Sequence, residues 1–145
     1  MTAIHPLRVF CLIALISLLG CSGGHGTASV SGTVLYKNQP VDGATVIFHP
    51  KGDATTAKPA QGKTNSGGHF TLTTYFGPAE QPAGALPGDY TVTVTKIDEP
   101  KGAFDPHKDP PPKHHLPLKY EAANTSPLTA TVKSGSNRPE LKLDD

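Results

Sequence analysis

Apolar and polar residues alternate along most of the chain beyond residue 29. The pattern first appears in residues 30–49. Val30, Val34 and Tyr36 fall on one face, and Ser31, Thr33 and Lys37 on the other. Ala44, Val46 and Phe48 then alternate with Thr45 and His49. A period of two puts successive side chains on opposite faces of a half-buried strand. Between the two runs, Asn38 tolerates positive φ, and Pro40 lacks the N–H needed to extend a ladder. The stretch therefore predicts a two-stranded hairpin, with the later strands laid against it.

The same period recurs downstream. Phe70 and Leu72 point inward within residues 69–74. Tyr90, Val92 and Val94 alternate with Thr91, Thr93 and Thr95. Leu128, Ala130 and Val132 alternate with Thr129 and Thr131, and Leu141 and Leu143 with Glu140 and Lys142. Residues 60–64 read as one more short strand. Asn65-Ser66-Gly67-Gly68 and Gly135-Ser136-Asn137 read as turns, since glycine accepts positive φ without a Cβ clash. No stretch after residue 20 has a helical period. About seven short strands between regular turn signals predict an all-β chain, a single antiparallel β-sandwich. Its expected core is Val34, Val46, Phe48, Phe70, Leu72, Tyr90, Val92, Val94, Leu128, Ala130, Val132, Leu141 and Leu143.

Two stretches depart from the alternation. Residues 75–87 form a loop rich in Gly, Pro and Ala. Residues 97–127 hold Pro100, Pro106, Pro110, Pro111, Pro112 and Pro117 and show no sustained period. A loop longer than about 15 residues is usually functional or disordered. Pro110 to Pro112 favour polyproline II locally, and order is expected to return near Leu116 to Tyr120.

The first residues follow another rule. Arg8 precedes an apolar run over residues 9–19, too short for the roughly 20 residues that span a bilayer. Leu18-Leu19-Gly20-Cys21 then resembles the lipobox of bacterial lipoproteins. The resemblance implies a signal peptide over 1–20 and a diacylglycerol thioether on Cys21, with a further acyl chain on the amine that cleavage frees. Two chains anchor a protein stably, at about 0.8 kcal/mol per buried CH₂. The plain alternative is an ordinary secretory signal with Cys21 incidental. Ser22 stands where an inner-membrane retention signal would show Asp, which points to the outer membrane. Residues 21–29 read as a Gly/Ser-rich flexible tether, with His25 solvated. The eight residues from Ser22 to Ser29 reach at most about 28 Å. The folded domain is expected over 30–145.

Charge and cysteine count narrow the function classes. Removing Arg8 from the 13 basic residues leaves 12 against 12 acidic. That balance speaks against a nucleic-acid binder, which carries a clustered basic face. Cys11 leaves with the leader and Cys21 is the acylation site, so no thiol remains for a disulfide, a nucleophile or a metal. Stability must come from one apolar core, and the length suits one domain.

Gly32-Thr33-Val34 and Pro40-Val41-Asp42-Gly43-Ala44-Thr45-Val46 resemble the start of carboxypeptidase regulatory-like domains. Thr64-Asn65-Ser66-Gly67-Gly68-His69-Phe70 is similar to that family's T-[DN]-x-x-G-x-[FY] turn, and Leu86-Pro87-Gly88-Asp89-Tyr90-Thr91-Val92 to its P-G-x-Y-x-V strand start. Lys119-Tyr120 and Thr125-Ser126-Pro127-Leu128 look like a bacterial lipoprotein subgroup. The resemblance, over about residues 30 to 143, implies a transthyretin-like sandwich and an accessory or binding role. Taken on their own, the motifs are folding signals.

Candidate chemistry is sparse. His107, His114 and His115 lie near Asp105 and Asp109, and imidazole with carboxylate can bind zinc or copper. Adjacent His114 and His115 seldom face one ion, and a mobile loop does not preorganise a site. These three are the metal candidates, and no cofactor is expected. The chain has no G-x-S-x-G elbow and no phosphate-cradling glycine loop. Hydroxyisourate hydrolases of the transthyretin-like fold end in Tyr-Arg-Gly-Ser, whereas these residues end Leu141-Lys142-Leu143-Asp144-Asp145. Tryptophan is absent, so a sugar or peptide platform would use Tyr75 and Phe76, or Tyr120. The expected function is that of a non-enzymatic envelope lipoprotein, structural or protein-binding, with the membrane and an envelope protein or glycan as partners. The alternatives are a carbohydrate- or peptide-binding module and a small metal-binding protein.

Overall fold

The computed structural model describes residues 25–52, 57–98, 102, 105 and 107–145. The expected leader, Cys21 and the first part of the expected tether lie outside the described residues. Strand β1 (Ser29–Tyr36) buries Val30 and Val34 completely and exposes Ser29 and Ser31, as its alternation requires. It turns through Lys37 and Asn38, both at positive φ (50° and 63°), into the two-residue β2 (Gln39–Pro40). Two positive φ values match the twist of a tight hairpin, and Pro40 ends the ladder.

The hairpin predicted over residues 30–49 is therefore only four ladder residues long. The second run, β3 (Thr45–Pro50), belongs to the other sheet. Val41 to Ala44 carry the chain across, held where Gly43 N donates to Thr64 O at 3.0 Å and Ala44 N to Thr64 Oγ1 at 2.7 Å. The physical reason is burial. Each run has one apolar face, and facing sheets let each cover the other, whereas one hairpin would leave both faces on the same side.

The first sheet is built on β1. On one edge it pairs antiparallel with β2 and with β5 (His69–Thr71). On the other it pairs parallel with β9 (Ser136–Asn137) and β10 (Glu140–Leu143). Ser29 opposite Ser136 and Thr33 opposite Glu140 share one offset of 107 residues, so β9 and β10 are one strand interrupted at Arg138-Pro139. Pro139 still accepts a bond from Thr33 N at 3.0 Å. This parallel edge corrects the expectation of a purely antiparallel sandwich, and Ser136 and Asn137 of the expected Gly135-Ser136-Asn137 turn belong to it as β9. The second sheet is antiparallel throughout, in the order β6 (Thr73–Thr74), β4 (Ala60–Lys63), β3, β7 (Gly88–Thr95), β8 (Thr129–Val132).

Residues 69–74, expected as one strand, serve both sheets. The switch is at Leu72, which is fully buried and donates its N–H to Val30 O at 3.0 Å. Among the described residues there are ten strand segments and one 3₁₀ turn, Leu118–Tyr120.

One core joins the sheets. Phe48 of β3 meets Phe70 of β5 at 6.3 Å and Tyr90 of β7 at 5.6 Å between ring centroids. Eleven of the thirteen expected core residues are buried, while Leu128 and Ala130 are half-buried because they lie at the edge of the second sheet. The alternation missed Ala28, Ala60, Ala85, Leu116 and Tyr120, all buried. Thr93, on the outward face of β7, is only 3% exposed, because this inner strand is flanked on both sides and its hydroxyl bonds the His49 ring at 2.9 Å.

The stretch 97–127 is less open than its prolines suggest. Ile97 bridges His114, Asp98 N donates to Lys113 O at 3.2 Å, and His115 N donates to Lys96 O at 2.9 Å, so the excursion closes in a two-stranded neck. Beyond it Leu116 and Tyr120 are buried, as the expected return of order implied, and Ser126 Oγ donates to Val92 O at 2.5 Å.

Gly32 is where the first sheet is tightest. A Cβ there would meet the Pro139 carbonyl oxygen and, at 2.6 Å, the Phe70 ring. Gly32→Ala is expected to destabilise the domain by about 1–3 kcal/mol through overpacking. Gly52→Ala, with nothing within 4 Å of its Cβ, should leave the melting temperature nearly unchanged. Equal melting temperatures for the two variants would contradict the packing described.

Candidate functional site

Cys21, the expected lipidation site, lies outside the described residues. The three candidate metal histidines are described, and they do not converge. Adjacent residues on an extended chain point to opposite sides. His114 Nδ1 accordingly meets Glu121 Oε1 at 2.6 Å, while His115 Nε2 meets Asp98 Oδ1 at 2.5 Å. His107 is exposed, and its backbone N–H donates to Asp105 Oδ1 at 2.9 Å. Asp109 Oδ2 accepts from Asp105 N at 2.7 Å, so both aspartates order the turn rather than face an imidazole. Among the described residues no group of three or more His, Cys, Asp or Glu is placed to hold an ion. His49 and His69 also stay apart: His49 bonds Thr93 in the second sheet, and His69 Nδ1 lies 3.0 Å from Thr33 Oγ1 in the first.

The aromatic candidates separate in the same way. Tyr120 is 4% exposed, and its hydroxyl both donates to Asp144 O at 3.0 Å and accepts from Asp144 N at 2.9 Å. It is a core plug, so it cannot serve as an exposed platform. Tyr75 is 51% exposed. It borders a hollow of about 420 Å³ on the outer face of the second sheet, lined by Ile47, His49, Pro59 and Gln61. Ile47 and His49 reach that face because Val46 and Phe48 take the inner one. Phe76 is stacked on His25 at 4.4 Å and 20°. His25, expected to be solvated in a flexible tether, thus packs against the 75–87 loop, and its Nε2 lies 3.6 Å from Glu80 Oε2.

A cluster that the sequence does not reveal sits at the opposite end of β1. Asp145 Oδ1 accepts from the Tyr36 hydroxyl at 2.5 Å, and Oδ2 pairs with Lys37 Nζ at 2.5 Å. Lys119 Nζ donates to Asp145 O at 2.6 Å. The bond from Lys37, then that from Tyr36, holds the Asp145 carboxyl below its ordinary 3.8. The same carboxylate holds Tyr36 above 10.0 and Lys37 above 10.5. Sequence reading missed this cluster because its members are 36 to 145 in the chain and only the parallel β10 brings them together. Burial raises the Tyr90 phenol, whose hydroxyl donates to Leu86 O at 2.6 Å.

No protein-family model matches the chain, and no curated protein matches it. Among solved structures, the 9R-lipoxygenase of Cyanothece PCC8801 is similar over 83% of this chain and 17% of its own, at TM-score 0.39 and 15% identity. The chain spans less than a fifth of that protein, and a likeness at this score carries nothing about activity.

Two outcomes follow. A depressed folded value means that the ionised Asp145 carboxylate stabilises the fold above about pH 3.8 and that this contribution fades as pH falls through the lower folded value. Asp145→Asn should therefore melt below wild type at pH 7, with the gap closing as the pH drops below 3.8. A gap independent of pH would exclude the charge interaction. Micromolar zinc or copper should leave the melting temperature unchanged, because the histidines are held apart. A rise of several degrees, about 1 kcal/mol of binding linkage, would restore a metal site.

Proposed function

We propose that the chain is a lipid-anchored envelope lipoprotein whose β-sandwich has a structural or protein-binding role without catalysis. The observation that carries this reading is Gly20-Cys21, placed directly after the apolar residues 9–19 and eight residues before β1. A thiol at that point can receive a diacylglycerol thioether, and the acyl chains then hold the domain at the bilayer. Ser22 favours the outer membrane. The motifs at 40–46, 64–70 and 86–92 favour a carboxypeptidase regulatory-like, transthyretin-like domain, whose members mostly serve as accessory or binding modules. The absence of catalysis is the simplest reading of side chains that bond to one another. His114, His115, Asp98 and Glu121 close a neck, and Asp105 and Asp109 order a turn.

A second reading is favoured by Tyr75. An exposed aromatic beside a hollow with a His and a Gln fits a carbohydrate- or peptide-binding module.

Mass spectrometry of the N-terminus extracted from membranes tests the first reading. The expected species begins at Cys21 and carries acyl chains, and Cys21→Ser should move the protein to the soluble fraction. Recovery of wild type as a soluble chain with a free Cys21 thiol would refute the anchor. Crosslinking in the native envelope then separates the roles, because a specific protein partner supports a structural role and co-purifying glycan supports the module.

A further inference from the structure

We infer that the corner formed by Tyr75, Phe76 and the hollow over Ile47 and Pro59 is a bilayer-contact surface, seated in the headgroup layer of the membrane that holds Cys21. The inference rests on the lipoprotein reading and specifies which end of the sandwich meets the lipid.

Three observations point to this end. The first is the path of the tether. Ala28 and Ala85 exchange both backbone hydrogen bonds, at 2.7 and 2.9 Å, so the chain before β1 is strapped to the 75–87 loop. Three residues earlier His25 stacks on Phe76. Cys21 is only four residues before His25, a reach of at most about 14 Å. The acylated cysteine lies at the boundary between headgroups and acyl chains, so the loop cannot stand clear of the membrane.

The second is composition. Residues 75–87 hold a single charged side chain, Glu80, and it faces His25. Tyr75 presents half of its surface, and the lining of the adjacent hollow is dominated by Ile47, Pro59 and the Tyr75 ring. Tyrosine is enriched at membrane interfaces because its ring is apolar and its hydroxyl stays wet.

The third is contrast. The other end of β1, about 23 Å away at roughly 3.3 Å per residue, carries Lys37, Lys119 and Asp145 in the ionic cluster. Leu118, 63% exposed, lies at that far end beside Lys119 and Tyr120.

The chain contains no tryptophan, so Tyr75→Trp and Leu118→Trp each place a single reporter. Both variants are prepared as the acylated full chain in vesicles of phosphatidylethanolamine and phosphatidylglycerol, with acylation verified by mass. Tyr75→Trp is expected to show blue-shifted emission and strong quenching by brominated acyl chains. Leu118→Trp should show water-like emission and little quenching. Acylated protein with equal quenching at both sites, or with Tyr75→Trp emission identical to that of its soluble Cys21→Ser counterpart, overturns the contact surface and leaves the anchor standing. A chain that is never acylated overturns both.

Discussion

The close approach of three segments at Gly32 is the constraint on which the rest depends. Phe70 covers this glycine from one side of β1, and the Pro139 backbone passes it on the other. Both edges of β1 can therefore be hydrogen-bonded along their length, to β5 and β2 on one side and to the β9–β10 strand on the other. A side chain at position 32 would push one neighbour away. The parallel strand that closes the sheet would then lose its register, and with it the burial of Leu141 and Leu143. The ring of Phe70, held in place over Gly32, also meets Phe48 and so couples the two sheets.

Around this centre the chain passes between the sheets four times, between β2 and β3, β4 and β5, β5 and β6, and β8 and β9. The crossings at 41–44 and at Leu72 place backbone polar groups inside, and each is matched by a specific partner. Thr64 serves the first crossing through both its backbone and its hydroxyl. At the second, Gly84 N donates to Leu72 O at 2.6 Å, and Thr74 Oγ1 donates to Gly84 O at 2.8 Å. Among the described residues no buried side-chain polar atom lacks a hydrogen-bond partner. Unsatisfied buried groups cost about 1–3 kcal/mol each, so these threonines are structural despite their polarity.

The two ends of the sandwich differ in chemistry. One end gathers Lys37, Lys119, Tyr36 and Asp145 into a charged cluster. The other receives the chain from the N-terminal side, where His25 and Ala28 lie along the low-charge 75–87 loop. The domain therefore has an axis, and the described chain enters it at one end.

The amino-acid sequence by itself determined most of the strand runs and most of their inward faces. Alternation is a property of neighbouring residues, so Val92 and Val94 had to share a face whatever they packed against. It also marked Asn65 to Gly68 as a turn, where Asn65 Oδ1 now accepts from the N–H groups of Gly67 and His69 at 3.0 Å. Only the tertiary structure decided which sheet each strand joined. A period of two is the same for a hairpin and for two facing sheets, which is why residues 30–36 and 45–50 looked like partners. Parallel pairing across 107 residues leaves no local trace either. Buried alanines carry too little hydrophobic signal to be recognised, and a Gly/Ser-rich tether gives no hint that Ala28 and His25 are held. The histidines of 107–115 looked like one cluster because they are close in sequence. Extended backbone turned His114 and His115 to opposite sides, and that geometry, not their composition, set their partners.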